Sequence, residues 1–320
     1  MKIFVATFPF GKSSKEPIEL LEKTKWKIVY NSFGRRLKDN ETEKIISEFD
    51  GIIAGTEPYT KKAIENAKNL KVISRVGVGL DNVDFQACLD NNIVLTYTPE
   101  APADAVADLT IAQIINLLRG TFQSDREIRS GMWNRVMGRL ISECKIGILG
   151  MGRIGKRVAK RLCAFDAEIY GCDLKPDLEF GKKYHIIWKN KEELFKICDL
   201  ITIHIPMSKK NLHCVGFKEM SSMKSGSFIV NTSRGPIIDE NALYSLVLNK
   251  HLEGAALDVF SEEPYSGPFI KCNNVLLTAH IGASARHSRY LMELGATLDC
   301  INVLKNQQPE NKVTWEMVNG

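Results

Sequence analysis

Residues 145–173, KIGILGMGRIGKRVAKRLCAFDAEIYGCD, constrain the fold more than any other stretch of the chain. An apolar strand runs into Gly150-Met151-Gly152-Arg153-Ile154-Gly155, a helical pattern follows, and a second apolar strand ends on Asp173. Each glycine has its own physical task. Gly150 permits a tight strand-to-helix turn, Gly152 lets the backbone approach a pyrophosphate, and Gly155 lets the helix pack closely on the strand. The anion then rests on free N–H groups at the helix N-terminus. A carboxylate closing the second strand suits two ribose hydroxyls and repels a 2′-phosphate, so Asp173 argues for NAD over NADP, an argument that Lys175 blunts a little.

Short apolar runs alternate with amphipathic stretches along the whole chain. IFVAT near 3, KIVY near 27, GIIAG near 51, KVISRVG near 71 and IVLTY near 93 precede the glycine motif. DLITIHIP (199–206), SFIVNTS (227–233), GAALDVF (254–260) and VLLTAHIG (275–282) follow it. Such alternation predicts an α/β protein of two doubly wound parallel-sheet domains. The expectation is an NAD-binding Rossmann domain over 99–285, inserted into a flavodoxin-like substrate domain made of 1–98 and completed by 286–320. Residues 105–128 read as one long helix, with Ile111, Ile114, Ile115, Leu117 and Leu118 able to serve either a core or a dimer surface.

A chain of 320 residues is long for a single core. Its 43 basic and 38 acidic residues are scattered, which gives no basic stripe for nucleic acid. No apolar run reaches the length that crosses a bilayer. The N-terminal MKIFVATF reads as a first strand rather than a signal peptide, because Pro9, Gly11 and Lys12 interrupt it. Eight cysteines stand singly without metal-ligand spacing, so no metal is expected and buried free thiols in the cytoplasm are.

Ligands of open parallel sheets sit beyond the carboxyl ends of the strands. Polar residues stand at several such ends: Val76 to Gly79, Asn231 to Gly235, Asp258 to Pro264, and His280 to Gly282. An arginine, a glutamate and a histidine leaving neighbouring strands suit reversible hydride transfer. When hydride leaves a secondary alcohol the hydroxyl proton must leave too, and an imidazole can take it. A carboxylate bonded to that imidazole fixes its orientation and raises its pKa, and a guanidinium fork holds a carboxylate substrate.

The motifs RVGVGLDNVD (75–84), YTPEAPADAVADLT (97–110), GILGMGRIG (147–155), HIP (204–206), NTSRGPIIDENAL (231–243), GAALDVFSEEP (254–264) and HIGA (280–283) resemble those of the D-isomer-specific 2-hydroxyacid dehydrogenases, a family that includes D-3-phosphoglycerate dehydrogenases. The resemblance implies Arg234 as anchor of the substrate carboxylate and carbonyl, Glu263 as partner of the histidine, and His280 as general acid/base. It implies that backbone amides around Val76 and Gly77 hold the substrate carboxylate. For NAD it implies Gly150, Gly152, Arg153, Ile154, Gly155, Asp173, Thr232 and Asp258, with His204 and Pro206 of the HIP motif beside the adenosine. It also implies a homodimer formed through the dinucleotide domain.

Within that family a phosphorylated substrate needs cations, and Arg75 is the candidate, with Glu57 as an acid close by. 3-Phosphoglycerate is therefore one candidate among several small 2-hydroxy or 2-oxo acids. Formate dehydrogenases of the superfamily carry glutamine where this chain has Glu263, which favours acid/base chemistry over simple hydride abstraction. Phosphite or a phosphonate remains an alternative substrate. A rival from another class is an NAD(H)-sensing, corepressor-like binding protein, since such proteins keep the same three residues. The resemblance runs from about residue 50 to about 290, and because the chain ends about where the dehydrogenase unit ends, no amino-acid-sensing regulatory domain is expected.

Overall fold

The computed structural model describes residues 1–319. Its packing divides the chain into two units, one made of Met1–Pro102 with the segment from Ala283 onward, the other of Ala103–Gly282. The first unit opens β1 (Lys2–Val5), α1 (Glu16–Lys23), β2 (Lys27–Tyr30), α2 (Asp39–Ile46), β3 (Gly51–Ala54), α3 (Lys61–Asn66), β4 (Val72–Arg75), α4 (Phe85–Asp90) and β5 (Val94–Thr96). The second contains α5 (Ala103–Arg119), α6 (Thr121–Arg129), β6 (Lys145–Leu149), α7 (Arg153–Cys163), β7 (Glu168–Cys172), α8 (Leu178–Lys183), β8 (Ile187–Trp188) and α9 (Lys191–Ile197). It continues through β9 (Leu200–Ile203), α10 (Phe217–Ser221), β10 (Ser227–Asn231), α11 (Glu240–Leu248), β11 (Leu252–Leu257) and β12 (Val275–Leu277). Helices α12 (Arg286–Leu304) and α13 (Trp315–Asn319) return to the first unit.

Both sheets are parallel throughout, in the orders β2-β1-β3-β4-β5 and β12-β11-β10-β9-β6-β7-β8. The alternation in the sequence thus yields the two doubly wound sheets it predicts. In each, the strand order reverses once, between β1 and β3 and between β6 and β9, and such reversals open ligand crevices at the carboxyl edge. The strands read as continuous apolar runs because helices cover both faces. In the first unit Phe4, Ile52 and Ile73 pack to one side with Tyr59 and Phe85, while Ile3, Ile53 and Val72 pack to the other against Met292, Ala296 and Cys300 of α12. The period of two along a strand makes that division. In the second unit Ile146 and Ile148 face α5 and α7, whereas Ile201, Ile203 and Ile229 face α9 and α11.

The single long helix expected over 105–128 is two helices. Gly120 sits in the left-handed region at φ +58° between α5 and α6, and a Cβ there would come within 2.6 Å of Val136 Cγ1. Periodicity does not reveal such a break, because one glycine inside a helical pattern is common. Ile111, Ile114, Leu117 and Leu118 all lie in the core of their own unit, with Ile115 partly buried against it. Apolar exposure lies further on, at Ile128, Met132, Trp133, Met137 and Leu140.

Candidate active site

The glycine motif occupies the crevice where β6 meets β9. Gly150 ends β6 at φ +95°, and a Cβ on it would lie 2.7 Å from the carbonyl carbon of His204 on β9's trailing loop. A Cβ on Gly155 would lie 2.0 Å from the Gly150 carbonyl oxygen. Those two glycines are therefore demanded by the protein's own packing. Gly152 differs: it is exposed, and a Cβ there meets nothing within 4 Å. Open space above a backbone at the start of an eleven-residue helix is what a pyrophosphate requires. At the end of β7, Asp173 accepts the Met151 N–H at 2.7 Å and the Lys175 N–H at 2.9 Å, which holds its carboxylate beside the glycine turn. The residues present fit a dinucleotide. Arg153 opens α7 exposed to solvent with Ile154 half-buried behind it, and Pro206 is exposed just past β9.

His204 is not a proton carrier. Its Nε2 lies 2.9 Å from the Thr202 hydroxyl and its Nδ1 is enclosed without a partner among the described residues. Burial pushes this imidazole down to about 3, so it stays neutral.

Three loops at the carboxyl ends of β10, β11 and β12 carry Arg234, Glu263 and His280. Asn231 shapes the first: its Oδ1 accepts the Ser233 N–H at 3.0 Å and its amide donates to the Arg234 carbonyl at 2.9 Å. Gly235 then lets the first loop touch the second, since a Cβ there would fall 1.9 Å from the Phe260 carbonyl carbon. The second loop is braced by Tyr265 stacked on Phe260 at 4.2 Å, and by the Phe260 N–H donating to Glu263 Oε1 at 3.1 Å. Glu263 Oε2 meets His280 Nδ1 at 2.9 Å. A carboxylate only accepts, so Nδ1 carries the proton and Nε2 is left without a hydrogen bond among the described residues.

Burial acts to raise the Glu263 carboxyl, but the hydrogen bond and charge of His280, the Phe260 N–H and the Arg234 charge outweigh it, and the group is held below its usual range. Glu263 is therefore ionised wherever the protein is folded at ordinary pH. His280 itself adopts φ +50°, a left-handed conformation uncommon outside glycine that concentrates at functional positions.

The third loop hangs from Asp258, which is 1% exposed. Its Oδ1 accepts the Thr278 hydroxyl at 2.6 Å and the Ile281 N–H at 2.8 Å, and its Oδ2 accepts the Gly282 N–H at 2.8 Å. Asp258, read from the sequence as a cofactor contact, thus spends its carboxylate first on the histidine loop. The Thr232 hydroxyl is likewise engaged, 2.9 Å from that of Thr110.

Two expectations for the first unit are corrected. The Val76 N–H donates to the Ala54 carbonyl at 2.9 Å and the Gly77 N–H to Thr98 Oγ1 at 2.8 Å, so neither amide is available to a substrate. The next two amides, of Val78 and Gly79, have no acceptor among the described residues. Arg75, the candidate phosphate ligand, is 4% exposed and turned inward, its guanidinium donating to the carbonyls of Gly79, Ala54 and Gly55. Glu57 closes the same turn by accepting the Gly55 N–H at 2.7 Å. Arg75 and Glu57 clamp one peptide from both sides, a structural task that the sequence does not distinguish from anion binding. His287 is exposed, its ring 6.1 Å from that of Tyr290. The sequence marks Asn231 and Gly235 as part of a strand end without revealing their bracing roles, and it carries no signal for Thr278.

Among the described residues no cluster of His, Cys, Asp and Glu could hold a metal ion, and no helix is long and apolar enough to cross a membrane.

Comparison with known proteins agrees with the geometry. The family model for the NAD-binding domain of D-isomer-specific 2-hydroxyacid dehydrogenases matches residues 111–282. The glyoxylate reductase of Thermococcus litoralis is 34% identical over 85% of this chain and 86% of its own length. The D-3-phosphoglycerate dehydrogenase of Methanocaldococcus jannaschii is 34% identical over 86% of this chain, which spans only 53% of that longer protein. The crystal structure of a Thermus thermophilus protein superposes with a TM-score of 0.89 at 29% identity, covering 98% of this chain and all of that one. With a dinucleotide crevice at one strand reversal and a paired histidine and glutamate at the edge of the same sheet, the chain belongs to the D-isomer-specific 2-hydroxyacid dehydrogenases and binds NAD.

Proposed function

We propose that the protein reduces a short, unphosphorylated 2-oxo acid of the glyoxylate or hydroxypyruvate kind to the D-2-hydroxy acid. The observation that carries this reading is the 2.9 Å pair of Glu263 and His280, with its proton placed on Nδ1 and Nε2 left for substrate. Held by Gly152, Asp173 and the start of α7, reduced NAD would supply the hydride for C2. His280 gives the proton on Nε2 to the carbonyl oxygen as the negative charge develops there, and Glu263, held ionised, stabilises the imidazolium before transfer. Arg234 binds the substrate carboxylate and polarises the carbonyl. In the reverse direction neutral His280 takes the hydroxyl proton as hydride leaves.

An unphosphorylated substrate fits Arg75, whose guanidinium is buried on backbone carbonyls. A phosphate dianion would have to strip those bonds. The glyoxylate reductase relative supports the short acid. The functional assembly in this reading is a homodimer that buries Trp133 and Met137, which are 80% and 95% exposed in the single chain. All eight cysteines are free, which fits a reducing compartment.

The test is NADH oxidation by the purified protein against glyoxylate, hydroxypyruvate, pyruvate, 2-oxoglutarate and phosphohydroxypyruvate, with NAD reduction on phosphite alongside. Highest kcat/KM on glyoxylate or hydroxypyruvate is expected. Preference for phosphohydroxypyruvate would overturn the Arg75 argument, and tight NADH binding with no turnover on any acid would replace the enzyme by a nucleotide sensor.

A further inference from the structure

Behind the histidine loop runs a directional chain of hydrogen bonds that begins on a different element. The Thr278 hydroxyl has one proton, given to Asp258 Oδ1 at 2.6 Å. Its oxygen is therefore an acceptor toward Gln113 of α5, whose Nε2 lies 3.1 Å away. Gln113 is 1% exposed, and its Oε1 is enclosed with no donor among the described residues. Turning the amide over would satisfy nothing, because Oε1 would then face the lone pairs of Thr278 Oγ1 with no proton between them. An apolar side chain of the same size would remove the orphaned acceptor, which costs stability.

The far end of this chain of bonds is the His280 loop. Asp258 receives Thr278, Ile281 and Gly282, and the His280 N–H donates to the Asp258 carbonyl at 2.8 Å. These bonds flank His280 on both sides and oppose the relaxation of its φ of +50° toward the commoner β region. We propose that Gln113 is a positioning residue for His280: by donating to Thr278 it orients the hydroxyl toward Asp258, and Asp258 so fixed holds the loop that aims the imidazole. The inference rests on His280 being the acid/base of the proposed reaction, and only for its kinetic consequence. A network of this kind acts as a unit, so its members are coupled rather than additive.

The experiment compares Q113M, T278V and the double variant with the parent. Amide hydrogen exchange at Ile281 and Gly282 is read in the folded protein, and kcat, KM and the Kd for NADH are read separately. Q113M should speed exchange at those two amides and lower kcat about fivefold, the factor one hydrogen bond of ordinary strength is worth, with KM and Kd changed less than about twofold. In the T278V background the same substitution should cost nothing further. Q113L, which likewise has no donor, repeats the measurement should Q113M not fold. Unchanged exchange, or an equal loss in both backgrounds, would overturn the relay. Faster, coupled exchange with kcat untouched would leave the relay standing and remove His280 from the chemistry.

Discussion

Gly152 and Gly155 stand three residues apart in one motif, yet substituting each by alanine should break different properties. At Gly155 the new methyl would sit 2.0 Å from the Gly150 carbonyl oxygen, where ordinary contact begins at 3.4 Å. The first turn of α7 must therefore retreat from β6 by about 1.4 Å, and overpacking of that kind against backbone costs about 3 kcal/mol. Alanine's better helix propensity returns up to about 1 kcal/mol. The clash wins by about 2 kcal/mol, which for a unit of this size lowers Tm by about 4–8 °C. At Gly152 the methyl meets nothing, φ is −75°, and the change at an N-cap costs about 0.5 kcal/mol. The same methyl fills the space a pyrophosphate needs, so the Kd for NADH should rise at least about tenfold. Thermal unfolding with and without NADH separates the two: G155A melts early in both, whereas G152A melts like the parent without NADH and loses most of the stabilisation that bound NADH confers. A G152A protein that binds NADH as tightly as the parent, or melts as early as G155A, would refute the division of labour.

Arg234→Ala should cut kcat/KM for the oxo acid by about two orders of magnitude or more while NADH titration stays within about twofold, and near-normal turnover would take Arg234 out of the mechanism. Replacing Glu263 by Gln tests the sign of its shift. Its folded carboxyl lies below the ordinary 4.5, so the ionised pair stabilises above that pH and the benefit fades as pH falls through the lower folded value. With side chains 36% and 42% exposed the benefit stays well below about 1 kcal/mol, and a parent-minus-variant difference that kept growing as pH fell below 4.5 would contradict it. The pH dependence of the rate should change shape in His280→Gln, and a profile of unaltered shape would point to another base. Trp133→Glu combined with Met137→Lys should give a monomer by light scattering at micromolar concentration; a parent already monomeric would end the dimer reading.

The sequence by itself determined what depends on near neighbours. A glycine at 150 is needed because of the turn it makes, apolar runs of four or five residues become buried strands, and both follow from local pattern. That Arg234, Glu263 and His280 leave strands at their carboxyl ends was legible for the same reason, and the sheet order then set those ends side by side. What only the tertiary structure decided is which groups were already spent. Gly77 keeps its N–H from a ligand because Thr98, twenty-one residues on, takes it. Arg75 is an anchor for carbonyls rather than for phosphate because β3 ends beside β4, a pairing the sequence does not state. Gly120 divides a continuous helical pattern because Val136 comes back against it. Gln113 reads as one more residue of a core helix until β12 lays Thr278 beside it. Whether a donor is free depends on the partner that folding brings from far along the chain, and no local pattern carries that information.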